Sequence, residues 1–204
     1  MATYSTLSVI NYSLILCGGT TVSAITDDTP NARALNSIYD FARKNFHTDN
    51  KWTFSTTRST LASVSTTNFP WLHDDESYIY TRPTSCLRIW EINEPNVIWR
   101  EEGNYIYANA ADLGAKWAFD QTDLTLWQPA AIEAFCYKLA GEIAFQILNS
   151  ATKAAEIRKF YEDVKLPQAQ AKNSQIGVPQ QVNDDFWLNS KWGSSGGDPS
   201  RSYS

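Results

Sequence analysis

Apolar side chains in the first part of the chain recur at spacings of three and four residues, the period of an α-helix. This spacing predicts a first helix over Ser5–Cys17, which Gly18-Gly19 would end by supplying a left-handed residue. A second helix is predicted to begin where Thr29 caps the first turn and Pro30 takes the first helical position. The two apolar stripes are Leu7, Ile10, Leu14 and Cys17, and then Leu35, Ile38, Tyr39, Ala42 and Phe46.

From Trp52 to Leu126 the pattern changes to short alternating runs separated by turn-forming residues, which predicts an antiparallel sheet built from hairpins. The best-defined hairpin joins Val97–Arg100 to Tyr105–Ala108. The Ser- and Thr-rich stretch Ser55–Asn68 is interpreted as either a long loop or an exposed hairpin. The runs assigned to strands are Trp52–Phe54, Tyr78–Tyr80, Leu87–Ile92, Val97–Trp99, Tyr105–Tyr107 and Lys116–Phe119.

Helical spacing returns at Pro129 and continues to about Asn149, with a continuous apolar face and small residues on its other faces. This pattern predicts the central helix of a small bundle. A fourth helix is predicted over about Ala151–Ala171, and Pro167 is expected to end its regular part or to kink it.

The last part of the chain is rich in Gln, Asn, Ser, Gly and Pro, which is typical of extended segments. It nevertheless contains Phe186, Trp187 and Trp192. We therefore expect this arm either to anchor on a neighbouring molecule or to fold back onto its own domain.

The elements together predict an α+β fold, a small α-helical bundle with an inserted antiparallel β-sheet domain and an extended C-terminal tail. Residues 1–50 and 128–172 would form the bundle, residues 51–127 the inserted domain and residues 173–204 the arm.

Composition narrows the function. The 204 residues carry a net charge of −5 and contain no run of Lys or Arg, so tight binding to nucleic acid is not expected. The three cysteines are far apart, and Cys17 and Cys136 lie on apolar helix faces, which predicts buried free thiols. We expect no signal peptide and no transmembrane helix.

A search for chemistry finds no convincing site, so we expect no catalytic residue, no cofactor and no metal. His73 precedes Asp74-Asp75-Glu76, but no second cluster completes a metal site, and a solvated acidic loop is expected. Glu133 and Glu142 do not share a helix face, although a carboxylate pair for glycoside hydrolysis need not be close in the chain. Interleaved Arg and Trp residues, among them Arg88 and Trp90, could stack on single-stranded nucleic acid, but several glutamates beside them oppose this.

An ordered series of short motifs spans most of the chain. The series comprises Val9-Ile10-Asn11 with Leu14-Ile15-Leu16, Gly18-Gly19, Val22-Ser23-Ala24-Ile25, Asn31-Ala32-Arg33-Ala34-Leu35, Trp52-Thr53-Phe54, Tyr80, Pro83-Thr84-Ser85-Cys86-Leu87-Arg88, Gly103-Asn104-Tyr105-Ile106-Tyr107, and Phe135, Leu139-Ala140 and Ile143-Ala144. In order and spacing it resembles the phage tail tubular protein A family, the head-to-tail adaptor of short-tailed phages.

The resemblance implies a structural virion protein that forms a ring, commonly a dodecamer, below the portal protein. The ring would carry a tail nozzle protein resembling tubular protein B, or tail fibres, and let double-stranded DNA pass without reading it. The protein would assemble in the host cytoplasm and reside in the virion neck, away from any membrane.

The adaptor interpretation predicts two sets of intermolecular contacts. Phe186, Trp187 and Trp192 are predicted to bind the portal or a neighbouring subunit. Arg33, Asp40, Arg43 and Lys44 are predicted to contact the next subunit. The alternatives are another ring of the neck, a stopper or terminator, and a virion-associated cell-wall hydrolase.

Overall fold

The computed structural model describes residues 4–69 and 71–176, and it confirms the predicted α+β class. The predicted portal-binding residues Phe186, Trp187 and Trp192 lie outside the described residues. The helices are α1 (Thr6–Leu16), α2 (Pro30–Asp49), α3 (Pro129–Leu148), α4 (Ala151–Phe160) and α5 (Leu166–Ser174). The strands are β1 (Thr56–Thr60), β2 (Ser63–Val64), β3 (Tyr78–Thr81), β4 (Cys86–Ile92), β5 (Trp99–Glu102), β6 (Tyr105–Ala108) and β7 (Gly114–Phe119).

The first helix begins and ends, and the second helix begins, as their sequence signals predict. Ser5 and Ser8 form a reciprocal capping box at the start of α1. Gly18 has a φ of 68° just beyond the end of α1, and the backbone N–H of Gly19 donates to the carbonyl of Leu14. The Thr29 hydroxyl accepts from the Ala32 N–H at the start of α2.

The predicted strand Trp52–Phe54 is wrong, because residues Thr53–Ser55 form a 3₁₀ turn. The aromatic rings point inward here instead of alternating across a sheet. Trp52 stacks on Phe46 with ring centroids 4.7 Å apart, and its indole N–H donates to the Phe46 carbonyl at 2.7 Å. Phe54 stacks on Trp127 at 4.7 Å. Aromatic packing therefore favours the 3₁₀ conformation over an extended strand at this point.

The inserted region contains two antiparallel sheets instead of one, with strand orders β1–β7–β4 and β2–β3–β6–β5. The predicted hairpin is present as β5 and β6, with a tighter connection than expected, since Glu102 pairs with Tyr105 and leaves only Gly103 and Asn104 in the turn. Gly103 adopts a φ of 58°. The stretch Ser55–Asn68 is neither a loop nor a hairpin: β1 pairs with β7 in one sheet and β2 pairs with β3 in the other.

The regular α-helical part ends at Phe160, before Pro167, but the chain stays helical beyond the proline. A π-helical segment, Tyr161–Lys165, connects α4 to α5, and Pro167 lies in the first turn of α5. The backbone stays helical from α4 through the π segment into α5, and the Leu166 N–H donates to the Tyr161 carbonyl five residues earlier. This wider turn makes room for the ring of Pro167, which has no N–H to donate. In the described part of the chain, no helix is long and apolar enough to cross a membrane.

Two hydrophobic cores correspond to two units of the molecule. The helical unit, α1 to α5, has a large core to which Trp52, Leu124 and Trp127 also belong. The sheet unit, β1 to β7, has a smaller core around Tyr80, Ile106 and Trp117. The helical core thus takes several aromatic and aliphatic side chains from the segments that lead into and out of the sheets.

Candidate functional site

The acidic loop before β3 is less solvated than predicted. His73 and Asp74 are exposed, but Glu76 is buried. The Glu76 carboxylate accepts from Arg100 at 2.8 Å and from the His73 backbone N–H at 2.9 Å, so it fastens the loop to the β5–β6 hairpin. Among the described residues, no group of three or more His, Cys, Asp or Glu side chains is placed to hold a metal ion.

The cysteines are buried and free, as predicted. Burial raises the pKa of Cys17 to about 11 and that of Cys136 to about 12, and it also raises the pKa of Cys86. These thiols therefore stay protonated near neutral pH and do not have the properties of nucleophiles.

The carboxylates of α3 do not form a catalytic pair. Glu142 is exposed, whereas Glu133 forms an ion pair with Lys165 at 2.6 Å. Nine positions along an α-helix correspond to opposite faces, so these two carboxylates cannot act on one substrate from α3.

The arginines interleaved with aromatic residues make contacts within the chain. Arg82 pairs with Glu101, and Arg100 pairs with Asp75 and Glu76. Arg88 lies over the Trp90 ring and donates to the Thr48 carbonyl. The carboxylates thus neutralise Arg82 and Arg100, whereas Arg88 is held in place by uncharged partners and keeps its positive charge.

The four charged residues predicted to contact a neighbouring subunit do not share one environment. Arg33, Asp40 and Lys44 are exposed on α2, beside Phe41, whose side chain is 70% exposed. Arg43, the fourth of these residues, is instead buried against its own chain. Arg33 and Asp40 are already paired with Asp28 and Arg43, so the α2 surface offers a partner chiefly Lys44 and the apolar side chain of Phe41.

Arg43 fastens the helical unit to the sheet unit. Its guanidinium donates to both carboxylate oxygens of Asp120, at 2.7 and 2.9 Å, and to Asp40 at 2.7 Å. Asp120 directly follows β7. The hydrogen bonds to Arg43 hold the pKa of Asp120 below its usual range and, reciprocally, raise the pKa of Arg43.

His47 lies one turn further along α2 and completes this junction. It is fully buried, with Nε2 3.3 Å from the Gln121 carbonyl and its ring 4.8 Å from that of Trp127. Burial lowers the pKa of His47 to about 4, although Asp120 opposes the shift. His47 is therefore neutral near pH 7 and serves packing instead of proton transfer.

A groove in the helical unit was not predicted. It encloses about 450 Å³, within the size range of binding pockets. We call it the α1–α5 groove, after the helices on its two sides. The residues that define it are Tyr4, Ser8 and Tyr12 before and along α1, Ala130 and Glu133 of α3, and Lys172 of α5.

The electrostatics of the α1–α5 groove are uneven. Glu133 is neutralised by Lys165, and the hydrogen bond between them raises the pKa of Lys165. Lys165 also lies 5.2 Å from the centre of the Tyr137 ring. Lys172 is exposed and has no ion-pair partner within residues 4–69 and 71–176. The groove thus combines an apolar lining with one positive charge at its edge.

The sequence contains a signal for the groove. Tyr4, Ser8 and Tyr12 recur every four residues beside the main stripe of α1, and Tyr4 and Tyr12 are 37% and 40% exposed. A second row of aromatic residues on a short helix indicates a second packing surface.

Comparison of the sequence with known protein families found no match, and comparison with curated proteins found none either.

Proposed function

We propose that the chain is a non-enzymatic head-to-tail adaptor of a short-tailed phage, related to the tail tubular protein A family, that forms a ring below the portal protein. The observation that carries the proposal is the ordered motif series described above. The α+β fold, with helices on both sides of an inserted pair of sheets, is compatible with that series.

The contacts of the motif residues support a structural role for the series. Asn11, from the first motif, donates to the Val22 carbonyl at 2.9 Å and accepts from the Val22 N–H at 2.8 Å. Gly103 makes the turn of the hairpin motif, and Ile106 of that motif lies in the core of the sheet unit. The motif residues thus hold loops and hairpins in place, which is the role expected of structural residues.

The exposed surface of α2 supports self-association. Phe41 presents a large apolar side chain near Lys44, and a ring contact would bury this side chain beside the lysine. In this proposal the helical unit contacts neighbouring subunits and the portal. The sheet unit contacts the nozzle or fibre proteins, and the net charge of −5 reduces sticking to DNA in the lumen.

The test is assembly of the purified full-length chain, alone and with portal protein, measured by mass photometry and electron microscopy. We expect a closed ring in at least one setting. Phe41→Asp should reduce ring formation severely, whereas Lys153→Asp, an exposed change on α4, should leave it intact. A chain that forms no ring in either setting would contradict the proposal.

A further inference from the structure

The arm beyond the described residues carries a distinctive acidic and aromatic sequence. Asp184-Asp185 is followed directly by Phe186-Trp187-Leu188, and Trp192 comes four residues later. Large aromatic side chains are the usual anchors of protein contacts when a pocket accepts them. Two aspartates next to these anchors favour a receptor with a nearby positive charge.

The α1–α5 groove has the complementary chemistry. Its lining includes the partly exposed residues Tyr4 and Tyr12 together with Ala130. Lys172 supplies a positive charge at the edge, while Glu133 is already neutralised by Lys165. The aromatic anchors of the arm therefore match the apolar lining of the groove, and the two aspartates of the arm match Lys172.

We propose that residues 184–192 of one copy of the chain dock in the α1–α5 groove of a neighbouring copy. Phe186 and Trp187 would enter the apolar part of the groove, and Asp184 and Asp185 would face Lys172. The inference rests on the self-association in the proposed function, and it adds the segment and the receptor that join the subunits.

The end of α5 is fixed on its own copy. Asn173 accepts hydrogen bonds from Thr53 and donates to the Lys51 carbonyl, and Ser174 lies in the same cleft as Lys116 of β7. These contacts define the point from which the arm starts. In the ring of the proposed function, the arm would reach the groove of a neighbouring copy from that point.

The available length is sufficient for exchange between copies. Lys172 borders the groove and the described chain ends at Ile176, so residues 177–186 connect the helical unit to the first aromatic anchor. Such a connection spans up to about 35 Å when extended. One arm and one groove per copy form a head-to-tail contact, the kind of contact that closes into rings.

The test is photo-crosslinking in the full-length protein. A benzoylphenylalanine placed at position 187 reports what the arm touches. Unassembled ¹⁴N- and ¹⁵N-labelled subunits are mixed in equal amounts and then allowed to assemble. After irradiation, the cross-linked peptides are identified by mass spectrometry. We expect cross-links to peptides that contain Tyr12 or Ala130, with about half of them joining the two isotopes, as random mixing between copies requires.

Charge variants refine the test. Lys172→Glu should lower the yield of groove cross-links about threefold, in line with the small energy of a partly exposed ion pair. Combining it with Asp184→Lys and Asp185→Lys should restore the yield. The matched control, Lys153→Glu on α4, should leave the yield unchanged. A yield that Lys172→Glu and Lys153→Glu change equally would refute the pairing with Lys172.

The outcomes separate this inference from the proposed function. Groove cross-links that join only like isotopes mean that the arm docks on its own copy, and they overturn the inference. Rings whose arm cross-links reach another surface, or only portal protein when portal is present, also overturn it but leave the adaptor proposal standing. Mixed-isotope groove cross-links in an open oligomer would support the arm exchange and contradict the adaptor ring.

Discussion

The junction between the two units and the α1–α5 groove each contain an ion pair, but the two pairs are built differently. At the junction, Arg43 is 10% exposed and holds Asp120 through two hydrogen bonds. In the groove, Lys165 binds Glu133 through one oxygen, and that carboxylate is 42% exposed. The presence of charged side chains alone therefore does not indicate a surface that binds a partner.

The surroundings explain the difference. The junction is closed by rings from α2 and from the segment before α3, including His47 and Trp127. Its charges satisfy one another, so it contributes to folding. The groove keeps an apolar lining open and leaves Lys172 without an ion-pair partner in the described chain. It therefore has the composition of a binding surface.

Breaking the junction should have the largest effect. We expect Arg43→Met to lower the free energy of unfolding by about 3 kcal/mol, because Asp120 keeps its charge and loses its bidentate partner. The control is Arg33→Met, which removes an exposed pair with Asp28 and should cost less than about 0.5 kcal/mol. Urea denaturation measures both changes, and equal effects would show that the junction pair has no special weight.

The protonation of His47 should have the next largest effect. Its folded-state pKa of about 4 lies below the value of about 6.5 in an unfolded chain, so the unfolded state binds more protons between these values. The free energy of unfolding should therefore fall as the pH falls, by about 2 kcal/mol between pH 7 and pH 5.

Two variants isolate this effect in denaturation measurements across that pH range. His47→Gln should flatten the dependence, whereas His73→Gln, which changes an exposed ring, should preserve it. Asp120 remains ionised throughout, because Arg43 lowers its pKa. A pH dependence that survives unchanged in His47→Gln would refute this assignment.

Breaking the groove pair should have the smallest effect on stability. Lys165→Met should lower the free energy of unfolding by less than about 1 kcal/mol, since Glu133 regains water when its partner is removed. A double-mutant cycle with Glu133→Gln measures the pair directly. A coupling as large as that of Arg43 with Asp120 would erase the distinction between the two regions.

Periodic patterns explain why much of the fold could be predicted. The stripes of α2 and α3 follow the helix period, and Thr29, Pro30 and Gly18 mark helix ends through local backbone chemistry. Trp52–Phe54 does not form the predicted strand because its rings pack on Phe46 and Trp127. No local sequence pattern encodes these contacts. The division of Ser55–Asn68 between two sheets depends in the same way on distant partners.

The sites were less predictable than the fold. Arg43 has an exposed position in a helical repeat, and only the approach of Asp120, distant in sequence, shows that it is buried. The α1–α5 groove requires α1, α3 and α5 to be placed together, although Tyr4 and Tyr12 hint at a second face of α1.

The π-helical segment Tyr161–Lys165 acts as a phase shift in the last helix. A π turn contains one more residue than a regular α-helical turn. Each residue of an α-helix rotates the rest of the helix by about 100° about its axis. Removing one residue from this segment would rotate α5 relative to α4 and carry Lys172 away from Tyr12. The angular position of one lysine, and with it the chemistry of the groove, is thus set by a local insertion several residues earlier.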